Sequence, residues 1–325
     1  MTGILLVGML SACGGQSQEE VMSALNKKLE QLKSYKAEAM MTLNAGDQPS
    51  TYQVEIWHKK PEYYRIHLKN KKQKLSQMIL KNEEGVFVLT PQLNKSYRFQ
   101  SDWPKNGSQW YLYESLLKDI LNDPEPEFTR QEDTYVFKTK TNYKHSDLKF
   151  QKITLTKKDL KPVSVKIMGE DGKVLVDMEF TSMNFNVEFD NNAFELQKNM
   201  SSARLEMPAM AQKGNESLNV YYPTELPKNS HLATTDKLSN GEKVVLEYAG
   251  KNSFTLIEQV SQVDEDSQPA SVSGKPVNLG FAIGYISGNA ISWTYDGTEF
   301  FLASKDLTQP EMIDLARSVT GKQMK

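Results

Sequence analysis

From residue 36 onward the apolar side chains of several stretches of this chain recur at every second position, and that period commits those stretches to sheet. Tyr52, Val54 and Ile56 alternate with polar residues, as do Tyr64, Ile66 and Leu68, then Val163, Val165 and Ile167, then Val174, Val176, Met178 and Phe180. Successive side chains of a strand point to opposite sides, so each such stretch predicts an antiparallel strand with one apolar face. The short apolar runs 78–80, 86–89 and 97–99 are separated by 82–85 and 92–95, which have hairpin-turn composition. Further strands are read at 134–141 and 148–156.

Two helices break the pattern. Val21, Met22, Leu25, Leu29 and Leu32 have helical spacing, with lysines and glutamates on the other side, and predict a helix over about residues 18–34. Trp110, Tyr113, Leu116, Leu117, Ile120 and Leu121 repeat that spacing within 103–123, and Pro124 enforces a stop. Residues 199–217 are small and polar, contain Pro208 and Gly214, show neither period, and read as a linker. Beyond it lie short strand candidates, an Asp296–Gly297 hairpin turn, and a Thr308/Glu311 capping box that opens a final helix. The fold class is therefore α+β. A first domain over 19–198 is joined by the linker to a small α+β domain over 218–325.

The N-terminus carries a different signal. An apolar run, residues 4–10, leads into Ser11, Ala12 and Cys13, followed by the polar stretch 14–20. This layout matches a lipobox: residues 1–12 form a signal peptide, Cys13 becomes the lipidated first residue, and 13–18 is a tether. Cys13 is the sole cysteine of the 325 residues, so no internal disulfide is available. No second long apolar run follows, and membrane attachment is expected through acyl chains alone, a diacylglycerol on Cys13 with or without an N-linked acyl group. Lys and Arg total 39 against 41 Asp and Glu, which gives no reason to expect a nucleic-acid partner.

Catalytic constellations are scarce. His58, His67, His145 and His231 are scattered, with no i, i+4 pair beside a glutamate, and no phosphate loop or nucleophile elbow occurs. No metal, no cofactor beyond the acyl anchor, and no enzymatic activity are expected.

The first domain resembles the LolA/LolB family of lipoprotein carriers and their Gram-positive relatives over about residues 19–198. The helix-to-strand junction from Leu32 to Ala37, the proline-led strand Lys60, Pro61, Glu62, Tyr63, Tyr64, Arg65, the hairpin from Asn82 to Tyr97 and the closing Phe180, Met183, Phe185, Asn186, Val187, Phe189, Asp190, Asn191, Phe194, Leu196 carry the resemblance. The combination with 218–325 is similar to sporulation-associated lipoproteins of Bacillus-like bacteria. The resemblance implies an incomplete antiparallel β-barrel with a helical lid around an apolar cavity. Met40, Tyr52, Ile56, Tyr64, Ile66, Met78, Leu80, Phe87, Leu89, Tyr97, Phe99, Trp110, Leu117 and Ile120 supply large, adaptable surfaces suited to acyl chains. Arg65 lies on a strand similar to the one that holds the carriers' latch arginine.

An apolar sheet face has two fates, a core filled by its own side chains or a cavity left for a ligand. The first expectation is a lipoprotein moored on the outer leaflet of the cytoplasmic membrane that binds acyl chains or a lipidated partner. The alternative is a regulatory scaffold, since some spore-forming relatives with this barrel partner a peptidoglycan enzyme.

Overall fold

The computed structural model describes residues 16–44, 49–70, 75–99, 109–141, 148–206, 218–264 and 269–322. The signal segment 1–12, Cys13 and Trp103 lie outside these residues. The chain opens with helix α1 (Gln18–Gln31), started by Ser17, whose hydroxyl accepts from Glu20 N at 3.2 Å while Glu20 Oε2 accepts from Ser17 N at 2.7 Å. That reciprocal pair satisfies two helix-end donors. Val21 and Leu25 turn inward and are fully buried.

Strands β1 (Ser34–Leu43), β2 (Ser50–Lys59), β3 (Tyr63–Asn70), β4 (Leu75–Asn82), β5 (Gly85–Thr90) and β6 (Lys95–Phe99) form a meander. Helix α2 (Tyr113–Asn122) follows, then β7 (Glu127–Arg130), β8 (Thr134–Lys140), β9 (Phe150–Thr156), β10 (Pro162–Met168) and β11 (Val174–Phe185). The last five return antiparallel so that β11 pairs with β1, giving one open sheet with β7 at one edge. The second helix thus begins at Tyr113, within the expected 103–123. Leu112 at its start provides no side-chain cap, and the Tyr113 amide donates instead to the Tyr35 hydroxyl at 3.2 Å.

Helix α3 (Leu196–Glu206) corrects the linker reading. Residues 199–206 are helical, with Asn199, Met200 and Ala203 buried, and only 207–217 lie outside the described residues. Its apolar positions are few, so the helical period is faint in the sequence.

The second unit comprises β12 (Tyr221–Pro223), β13 (Ser230–Leu238), β14 (Lys243–Gly250), β15 (Phe254–Val260), β16 (Ala270–Val272), β17 (Lys275–Asn278), β18 (Ile283–Ser287), β19 (Ala290–Tyr295), β20 (Thr298–Ala303), α4 (Gln309–Ser318) and β21 (Val319–Lys322). Seven of its strands form a sheet in the order β13-β14-β15-β20-β19-β18-β17. Asp296 (φ 48°) and Gly297 (φ 75°) make the two-residue turn between β19 and β20, and the Thr308/Glu311 box opens α4. Strand β13 was not legible as a strand, because eight of its nine residues are exposed and it shows no alternation.

The two units are fastened together. Strand β16 adds in parallel to β6 at the far edge of the first sheet, pairing Ala270 with Tyr97 and Val272 with Phe99. Asp264 N donates to Leu93 O at 2.8 Å, and its carbonyl accepts from Asn94 Nδ2 at 2.9 Å. The Gln77 amide oxygen accepts from Ile283 N at 2.7 Å, and Lys95 forms an ion pair with Glu299.

Candidate functional site

The first sheet has two buried faces. On the inner face, Ala37, Ala39 and Met41 of β1 lie beside Tyr52, Val54 and Ile56 of β2, which lie beside Ile66 and Leu68 of β3, then Ile79 and Val88. Helices α1 and α2 cover this face with Val21, Leu25, Leu116, Leu117 and Ile120, each fully buried. Trp110, 2 % exposed, sits in the same core with its indole N–H 3.5 Å from Met41 Sδ. Tyr52, Ile56, Ile66, Trp110, Leu117 and Ile120 thus belong to this core as packed side chains, joined by the half-buried Tyr64 and Tyr97 and by Phe99.

Five expected cavity residues lie on the other face. Met78, Leu80, Phe87 and Leu89 pack with Phe194, Met200 and Ala203 beneath α3, in a separate cluster. Met40 is 41 % exposed, because β1 turns its neighbours Ala39 and Met41 inward. The cause is the double burial of β4 and β5. Continuous runs such as Met78-Ile79-Leu80 are apolar on both sides, and such runs give no sign of which parity faces the helices.

Arg65 also points outward. It is 5 % exposed in its side chain, donates to Asn199 Oδ1 of α3 at 2.6 Å, pairs with Glu55 at 2.9 Å, and lies 4.2 Å from the Trp57 ring. It therefore ties α3 to the sheet and has no access to the inner face.

One buried polar group interrupts the inner core. Glu114 of α2 accepts from the Tyr35 hydroxyl at 2.8 Å, and the His58 ring lies between Tyr35 and Tyr64, with centroids 5.3 and 4.7 Å away. Burial, reinforced by the Glu114 charge, pushes the Tyr35 and Tyr64 hydroxyls up, so both remain donors. Burial pushes His58 down and keeps it neutral at physiological pH. The cluster locks α2 onto β1–β3.

A cavity lies between the two units. Its volume is about 300 Å³, and it is walled by Val88, Tyr97 and Phe99 of the first sheet and by Ile257, Tyr285, Trp293, Phe300 and Phe301 of the second. Gln77, Thr90, Lys243, Gln259, Ser292, Thr294 and Glu299 add polar groups. Of the fourteen expected residues, Tyr97 and Phe99 reach it. The other wall residues could not have been found from sequence, since the walls come from segments about 200 residues apart with no shared period.

The acidic residues around Pro124 have local roles. Asp123 accepts from Glu125 N at 3.0 Å and Lys140 N at 2.8 Å, holding the turn into β7. Among the described residues, no group of three or more His, Cys, Asp or Glu is placed to hold a metal ion. None of their helices is long and apolar enough to cross a membrane.

A family model described as "Sporulation protein YdcC-like" matches residues 1–194. Sporulation protein YdcC of Bacillus subtilis (strain 168) is 47 % identical over 328 residues, covering 100 % of this chain and 97 % of that protein. Among solved structures, the Pseudomonas aeruginosa MucA/MucB complex aligns with a TM-score of 0.33 and 12 % identity, over 94 % of this chain and 99 % of that one. A putative outer membrane lipoprotein-sorting protein domain from Vibrio parahaemolyticus aligns with a TM-score of 0.34 and 14 % identity, over 56 % of this chain and 97 % of that one.

Proposed function

The chain belongs to the family of YdcC-like sporulation proteins, and from that premise we propose that it acts in sporulation as a partner-binding scaffold for a cell-wall enzyme, moored outside the cytoplasmic membrane through acylated Cys13. The observation that carries this reading over that of an acyl carrier is the filled inner face. Leu116, Leu117 and Ile120 of α2 and Val21 and Leu25 of α1 occupy the place an acyl chain would take, and each is fully buried. Fully burying one such side chain contributes about 1.5–3 kcal/mol. Lifting two helices to admit a lipid forfeits several of these at once, together with the Tyr35–Glu114 hydrogen bond. The Cys13 lipobox supports the location, since a diacylated cysteine provides the two chains that stable anchoring needs.

The test is solvent extraction of the purified Cys13→Ala protein followed by lipid mass spectrometry, with gel filtration against a sporulation peptidoglycan amidase. The scaffold reading expects no acyl species near one equivalent and a co-eluting complex. A stoichiometric acyl species would replace it with the carrier reading.

A further inference from the structure

We propose that the cavity between the two units is a saccharide site that takes one or two sugar rings bearing a carboxylate. Such a ligand goes beyond the scaffold reading and does not depend on it.

Its walls are aromatic and come from both units. The Tyr97 and Tyr285 rings lie 5.8 Å apart at 41°, and Phe99 meets Tyr285 edge-on at 6.3 Å. Phe301, beside Ile257 in the β15–β20 register, is 42 % exposed although it lines the cavity. Such rings offer flat apolar faces to the C–H faces of a sugar.

The polar groups distinguish this ligand from a hydrocarbon. Among the described residues, the side chains of Thr90, Ser292, Thr294 and Lys243 make no hydrogen bond or ion pair to one another or to a neighbour. A fatty chain entering the cavity strips water from these groups and returns no partner, which opposes binding. A ring with hydroxyls around its rim replaces those hydrogen bonds while its faces stack. Charge then selects among saccharides. Glu299 is held by Lys95 on one oxygen and by Gln259 Nε2, at 2.9 Å, on the other, so its charge is already answered. Lys243 lacks a carboxylate of its own, and a sugar carboxylate supplies one. A volume of about 300 Å³ is at the small end for ligand pockets and suits a compact polar guest.

The full chain carrying Cys13→Ala is titrated calorimetrically with the disaccharide of N-acetylglucosamine and N-acetylmuramic acid, with neutral chitobiose, and with octanoate as a charge-matched acyl probe. The acidic disaccharide binds saturably and about tenfold more tightly than chitobiose, and octanoate does not compete. Lys243→Gln lowers the acidic sugar to the chitobiose level and leaves chitobiose unchanged. Tyr285→Ala, which also forfeits the ring contacts to Tyr97 and Phe99 and so lowers the melting temperature, weakens both by about tenfold in protein shown to be folded at the assay temperature. Absence of saturable sugar binding up to about 10 mM overturns the proposal, as does octanoate binding that displaces the sugar, or affinity indifferent to both variants. Failure of the amidase complex leaves these readouts untouched.

Discussion

Replacing Glu258 with glutamine should remove most of this protein's loss of stability on going from mildly acidic to alkaline pH. Glu258 is fully buried on β15, and both carboxylate oxygens accept from one donor, the Tyr221 amide, at 3.2 and 3.0 Å. Burial dominates that single hydrogen bond and raises its pKa from 4.5 to about 8. Tyr222 and Tyr248, which feel its charge, are themselves pushed up by burial and stay neutral over this range. Between 4.5 and about 8 the folded chain keeps a proton that the unfolded chain releases, so stability is complete below 4.5 and declines until the pH passes about 8. At about 1.4 kcal/mol per pH unit the loss comes to roughly 3–5 kcal/mol. Glutamine keeps an acceptor for Tyr221 N and cannot ionise. Urea unfolding at pH 5 and pH 9 should show the parent losing that amount and Glu258→Gln losing little, with the variant the more stable protein at pH 9. Equal losses in the two proteins would show that Glu258 ionises freely in the fold, and the argument from burial would fail.

The face assignment in the first sheet yields a paired prediction. Met78→Ala, buried beneath α3, should cost about 2–5 kcal/mol, whereas Met40→Ala, on an exposed position of β1, should stay within about 0.5 kcal/mol in the same urea assay. Similar costs would mean that the two methionines share an environment. Cys13→Ala should move the protein from the membrane fraction to the soluble fraction of spore-forming cells, and continued sedimentation with membranes would require a second attachment.

Much of the architecture was legible because local physics set it. The alternation at Tyr52, Val54 and Ile56 placed β2 and its inner face, the heptad-like leucines placed α1, and Asp296–Gly297 placed a hairpin whose positive φ values suit that pair. Legibility failed where burial was two-sided or absent. In β4 both parities are apolar, so Met78 and Leu80 could not be told from Ile79 by pattern alone. In β13 neither parity is buried, and no period marks the strand. Arg65 faces away from Tyr64 and Ile66, since neighbouring residues of a strand point to opposite faces.

The candidate cavity was illegible for a further reason, and the reason bears on how the chain holds together. Sequence patterning told which residues of β4–β6 are apolar but not what covers them. Helices α1 and α2 lie over the inner face elsewhere, while Val88, Tyr97 and Phe99 meet the second unit across the cavity. That unit also supplies β16 to the open edge of β6, the Gln77–Ile283 hydrogen bond, and the Lys95–Glu299 ion pair. A chain cut within 207–217 would leave a bare strand edge, with unpaired N–H and C=O groups, next to exposed aromatic rings, a combination that invites aggregation. The two units therefore stabilise each other, and the space between them exists only in the whole chain. A ligand bound there contacts both at once, so its binding energy adds to whatever holds them together.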